Sequence, residues 1–152
     1  RLLHRFRAAL PQDWAKAGNS THQEIAMIGY ITLGTNDLDR AKTFYDALLA
    51  EMGVTRLMEF GDSGYGWAAT MEQPMLCIFK PYDDQPATVG NGVMAGIAAD
   101  SRETVDRVHK KALELGATDE GSPGLRAIGG DGFYAAYFRD LDGNKLDFFF
   151  YG

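Results

Sequence analysis

The sequence predicts an α+β fold: two βαβββ modules that form a curved eight-stranded mixed sheet, with a cleft inside and helices on the outer face. Three observations predict it. A strand–helix–strands pattern occurs twice, offset by 64 residues. Each helical stretch places apolar residues at spacings of three and four and stops at a glycine. The strand-like pieces alternate in polarity or are rich in β-branched and aromatic residues, and glycine-rich turns separate them.

In the first copy, Ile28–Gly34 alternates and reads as a strand. Asn36 follows as a helix N-cap, with Asp39 three residues on, a capping-box arrangement. Leu38, Ala41, Tyr45, Leu48 and Met52 then form one apolar stripe, and Gly53 ends the helix. Thr55–Phe60, Gly64–Thr70 and Pro74–Pro81 read as the three following strands. Pro81–Gly92, with Pro86, Gly90 and Gly92, reads as a linker. In the second copy the strand is Val93–Ala99, and Asp100 caps a helix with Glu103 three residues on. Val105, Val108, Ala112 and Leu115 line its apolar face, and Gly116 ends it. Leu125–Ile128, Gly132–Arg139 and Lys145–Tyr151 read as strands, the last two joined by the Asp140–Asn144 turn, DLDGN. The body is therefore 27–152, with module one at 27–86 and module two at 90–152. Residues 1–26, with the short apolar face Leu2, Leu3, Phe6 and Leu10, read as a leader, a tag or an arm.

Composition narrows the function. The 152 residues are 45 % apolar and 24 % charged, an ordinary globular mix that excludes a disordered or fibrous chain. A single cysteine, Cys77, permits no intrachain disulfide and no CxxC zinc site. Residues 1–26 carry four basic side chains against two acidic; the remainder carries 11 against 19. So acidic a body repels nucleic acid and anionic membrane, and neither is expected as a partner. With no apolar run long enough to span a bilayer and no secretory h-region, a cytoplasmic protein is expected.

Two segments carry a family resemblance: NDLDRAKTFYDALLAEMG (36–53), with Phe44 and Tyr45, and RDLDGNKLDFF (139–149). With the duplication, they make the chain over about 27–152 similar to the glyoxalase / bleomycin-resistance / extradiol-dioxygenase family, the vicinal oxygen chelate superfamily. The resemblance implies the paired-module fold but not one activity, because that scaffold hosts lyases, isomerases, dioxygenases and binding proteins. In its metal-using members, a histidine on the first strand of each module and a glutamate-like ligand on each last strand hold a divalent metal. The resemblance places Tyr30 and Met94 at the histidine positions, and Asp147 and Cys77 at the others.

The residues themselves argue against such a metal. His4 and His22 precede the body, and His109 belongs to the second helix, on the wrong layer for the cleft. Tyr30, Met94, Cys77 and Asp147 are a poor set for zinc, nickel or iron. Cys77 with Met94 suits only a soft ion such as Cu(I), and core packing is the simpler role for both. No metal and no cofactor are expected. Strand alternation turns Tyr30, Thr32, Met94, Asp147, Phe149 and Cys77 toward the cavity, an aromatic, sulfur-bearing pocket with one carboxylate. Asp147 is the candidate catalytic residue: desolvated among aromatics, it suits a general base or an anchor for a cation. The plainer alternative is an aspartate bonded to Tyr30 or to a backbone amide. Tyr134, Tyr137, Phe60 and Trp67 are candidates for lining the pocket, each with core packing as its alternative. Arg126 is a candidate for an acidic substrate group, or a solvated loop arginine. Cys77 lacks a neighbouring histidine to activate it as a nucleophile.

The first functional expectation is a metal-independent protein binding a small aromatic or cationic molecule. A glyoxalase-like lyase or isomerase using Asp147 is the second. An interaction protein whose cleft is filled by Tyr30 and Met94 is the third. A homodimer is expected in each case.

Overall fold

The computed structural model describes residues 27–129 and 132–152. The expected leader, tag or arm at 1–26 lies outside them. Module one contains β1 (Tyr30–Gly34), α1 (Leu38–Ala50), β2 (Thr55–Glu59), β3 (Gly64–Ala68) and β4 (Met75–Phe79). Module two contains β5 (Ala95–Ala98), α2 (Arg102–Glu114), β6 (Thr118–Leu125), β7 (Phe133–Arg139) and β8 (Lys145–Tyr151). The eight strands form two four-stranded sheets, β1-β4-β3-β2 and β5-β8-β7-β6, rather than one continuous sheet. In each, the first strand runs parallel to the last and the other pairings are antiparallel. Among the described residues no helix is long and apolar enough to cross a membrane.

Both helix caps sit one residue beyond the expected positions. Asp37, not Asn36, caps α1 and accepts from the Arg40 amide at 3.0 Å; Ser101, not Asp100, caps α2 and accepts from the Thr104 amide at 3.2 Å. The displaced residues have other work. Asn36 clamps the linker through both amide atoms, accepting from the Ala87 N–H at 2.7 Å and donating to its carbonyl at 3.1 Å. Asp100 accepts from the Thr104 hydroxyl at 2.6 Å. Leu125–Ile128 is also corrected. The strand is β6 at Thr118–Leu125, and a single 3-10 turn follows at Ala127–Gly129. Its sequence, TDEGSPGL, has few β-formers. Pairing with the strongly β-forming FYAAYFR of β7 overrides that weak local preference, with register shifts at Gly121 and Gly124.

One core joins the modules. Phe44, Tyr45 and Leu48 of α1 and Val108 and Ala112 of α2 pack with Leu33, Trp67 and Ile78 of sheet one and with Phe138, Leu146 and Phe148 of sheet two. The helix-covered sides of both sheets thus meet in the middle, and their bare sides are directed away from that common core. The Asp140–Asn144 turn clasps the two modules. Asp140 accepts from the Tyr45 hydroxyl at 2.6 Å and from Asn144 Nδ2 at 2.8 Å, and Asn144 Nδ2 reaches the Gly34 carbonyl at 2.9 Å. Asp142 accepts from the Thr35 hydroxyl at 2.6 Å and the Asn36 amide at 2.9 Å. Burial, with the Asp140 carboxylate beside it, holds the Tyr45 phenol well above its ordinary range, so it stays a donor.

Candidate functional site

The bare face of sheet two is built from β7 and β8. Because the DLDGN turn fixes their register, Tyr137 stands opposite Asp147 and Ala135 opposite Phe149. Gly96 on β5 flanks Asp147 on its other side. A Cβ on Gly96 would lie 2.9 Å from Asp147 Oδ1, so the glycine is what leaves room for the carboxylate. Asp147 is 3 % exposed, and its Oδ1 is buried with no hydrogen-bond partner among the described residues. Burial pushes its carboxyl up to about 6, partly opposed by its own backbone amide and the Lys145 ammonium. Phe133 tilts against Phe149 at 5.4 Å between centroids and extends the aromatic wall.

Cations surround Tyr137. The Arg126 guanidinium lies over its ring at 5.2 Å, and the Lys145 ammonium lies 5.7 Å from the centroid. Lys145 and Arg139 both pair with Glu120, Lys145 at 2.9 Å. At one end of this face a groove of about 770 Å³ opens along the linker, lined by Val89, Val93, Met94, Arg139 and Lys145.

The bare face of sheet one is different. Cys77 lies opposite Thr32 on one side and Gly66 on the other. It packs with Met58, Ala68 and Met75, with Phe60 and Phe79 at the edge, 4.9 Å apart. Burial raises the Cys77 thiol to about 11, which leaves it inert near neutrality.

Of the sequence-named residues, Asp147, Tyr137, Phe149 and Arg126 come together on sheet two, while Cys77, Phe60, Tyr30 and Thr32 belong to sheet one. Tyr30 is 63 % and Met94 42 % exposed, so neither fills a cleft within one chain. Tyr30 makes no hydrogen bond to Asp147. Two residues face the helices instead. Trp67 is fully buried in the common core and donates to Asp46 on α1 at 2.9 Å. Tyr134 donates to Asp106 on α2 at 2.8 Å. Each alternates with bare-face residues of its own strand, Trp67 after Gly66 and Tyr134 before Ala135. Sequence reasoning missed Gly96, Phe133 and Lys145, although the DLDGN turn and a count by twos along β7 and β8 would have found the last two.

The profile of the Glyoxalase/Bleomycin resistance protein/Dioxygenase superfamily matches residues 27–148. The chain belongs to that superfamily. Among solved structures it is similar to a glyoxalase/bleomycin resistance protein from Albidiferax ferrireducens T118, at 36 % identity over 84 % of this chain and 100 % of that one, with a TM-score of 0.74. A glyoxalase/bleomycin resistance protein/dioxygenase family enzyme from Burkholderia phytofirmans PsJN shares the fold at 16 % identity, covering 84 % of this chain and 100 % of its own, with a TM-score of 0.65. Lactoylglutathione lyase from Agrobacterium tumefaciens shares it at 20 % identity, 84 % and 96 % coverage and a TM-score of 0.60. No curated protein matches.

The superfamily's divalent metal does not fit this chain. Sheet register makes Cys77 and Asp147 equivalent, and the 64-residue offset pairs Tyr30 with Met94. A phenol, a thioether, an inert thiol and one carboxylate, split between two sheet faces, are not a ligand set for a hard or borderline divalent ion.

Proposed function

We propose that this chain is a metal-independent member of the glyoxalase/bleomycin-resistance group that binds a small aromatic or cationic molecule on the bare face of sheet two. The observation that carries this is Asp147: a carboxylate 3 % exposed, with one oxygen buried and unpartnered among the described residues, beside Tyr137 and Phe149. A buried acceptor without a donor costs about 1–3 kcal/mol, and a cationic ligand seated against the aromatic wall restores it. The protein acts in the cytoplasm as a homodimer, in which a second copy covers the exposed Tyr30 and Met94; light scattering is expected to give twice the chain mass, and a monomer at tens of micromolar would refute this.

The test is calorimetric titration with phenethylamine, an aromatic cation, at pH 7.5. The wild type is expected to bind it, and Asp147→Asn to weaken binding by about 1–3 kcal/mol with the fold intact. Equal affinity in both proteins would overturn the reading. A second reading, a lyase or isomerase with Asp147 as general base, is favoured by one observation: a carboxyl raised to about 6 is poised to exchange a proton near neutrality.

A further inference from the structure

We propose that Arg126 is the anion subsite of the same face, so that the ligand is an aromatic zwitterion with its ammonium on Asp147 and its carboxylate on Arg126. This rests on the reading of Asp147 as a cation anchor and extends it to the substrate class.

Four features of Arg126 support it. Its Nη2 donates to the backbone carbonyls of Ser122 and Ala135, the latter at 3.0 Å, which fixes the guanidinium in place. Its Nε is buried and has no hydrogen-bond partner among the described residues. No carboxylate of the described residues pairs with it, whereas Arg139 and Lys145 on the same face share Glu120. Finally, a glycine keeps the ring beneath it in place: a Cβ on Gly121 would lie 2.9 Å from Tyr137 Cδ2.

The two unsatisfied groups are joined by one platform. Tyr137 carries the guanidinium over its ring and stands directly opposite Asp147 in the β7–β8 ladder. Arg126 and Asp147 thus flank one tyrosine on the same face, a donor with a fixed positive charge and a negative acceptor. Buried polar atoms are nearly always partnered, and here the two unpartnered among the described residues belong to side chains of opposite charge on one face. A charged hydrogen bond from guanidinium to carboxylate is among the stronger ones available. A ligand with both charges satisfies both atoms at once; a ligand with one charge leaves the other atom bare. The Tyr137 ring is already taken by the guanidinium, so the seat for the aromatic part is the neighbouring wall of Phe133 and Phe149.

The experiment is a calorimetric matrix of three probes sharing one phenyl ring: phenethylamine, 3-phenylpropionate and phenylalanine. Each is titrated into wild type, Arg126→Gln, Arg126→Lys and Asp147→Asn at pH 7.5, with thermal melts confirming that each variant is folded. Phenylalanine is expected to bind wild type about tenfold more tightly than phenethylamine, a difference of about 1.4 kcal/mol. Arg126→Gln is expected to remove that advantage and leave phenethylamine within about twofold. Arg126→Lys, which keeps the charge and loses the Nε donor, is expected to recover only part of it. Asp147→Asn is expected to weaken both amines and spare 3-phenylpropionate. If phenethylamine binds but phenylalanine gains nothing, or Arg126→Gln weakens both equally, the Arg126 subsite is refuted while the Asp147 anchor stands. If no probe binds wild type up to about 5 mM, both are refuted.

Discussion

Across sheet one the central row reads Thr32, Cys77, Gly66 and Met58; across sheet two the matching row reads Gly96, Asp147, Tyr137 and Gly121. The backbone lattice is the same, and each row uses a glycine to make room. Gly66 admits the Met75 thioether, whose sulfur occupies the space a Cβ would need. Gly96 admits the Asp147 carboxylate. Sheet one uses its space for an apolar patch of Met58, Ala68, Met75 and Cys77, edged by Phe60 and Phe79. Sheet two leaves two polar atoms, Asp147 Oδ1 and Arg126 Nε, unpartnered among the described residues. Burial acts on the central group of both rows in the same direction, holding the thiol at about 11 and the carboxyl at about 6. The consequence differs: at pH 7.5 the first row is uncharged and the second carries a charge its surroundings oppose. A duplicated scaffold therefore fixes where side chains stand, and the occupant of one central position decides whether a face is apolar or carries a buried charge.

Exchanging that occupant gives the largest expected effect. Cys77→Asp places a carboxylate among Met58, Met75, Phe60 and Phe79 with no donor, and is expected to destabilise the fold by about 3–5 kcal/mol at pH 8 in urea titrations. A loss below 1 kcal/mol would show that the sheet-one face is as wet as the other. Next is Asp147→Asn. Because burial raises the folded carboxyl above its unfolded value, the fold prefers it protonated: its stabilising effect is complete at low pH and is lost as pH rises through about 6. The variant is expected to match wild type near pH 4 and to exceed it by about 1–3 kcal/mol at pH 8. A stability difference independent of pH would remove burial as the cause. With the binding loss expected above, this makes Asp147 a residue whose function opposes stability. The smallest effect is expected from Cys77→Ala, about 1 kcal/mol of lost packing, with unchanged phenethylamine affinity. Altered affinity would show that the two faces communicate.

Much of this was legible in the residues. Apolar spacing along 38–52 and 105–115 and the glycines behind each stripe placed both helices, because a helix declares its buried face every three to four residues. Alternation turned Ile31 and Leu33 of β1, and Leu146 and Phe148 of β8, toward the helices, as observed. The caps moved by one residue because Asn36, Asp37, Asp100 and Ser101 are all competent caps, and only the backbone dihedrals choose between neighbours. β6 was not legible because its strand state is imposed by β7. Trp67 and Tyr134 stayed open between pocket and core because an aromatic strand residue suits either side of a sheet until its register is known.

By itself the sequence determined the duplication, the two helices, the superfamily and the chemical poverty of the metal positions, all of which follow from residue identity and local periodicity. Tertiary structure alone decided that the helix-covered sides share one core, that Gly96 opens a place for Asp147, and that Arg126 closes over Tyr137. Those contacts join residues far apart in the chain or across strands. Burial, and with it the raised carboxyl of Asp147 and the buried Nε of Arg126, exists only once those distant segments have come together.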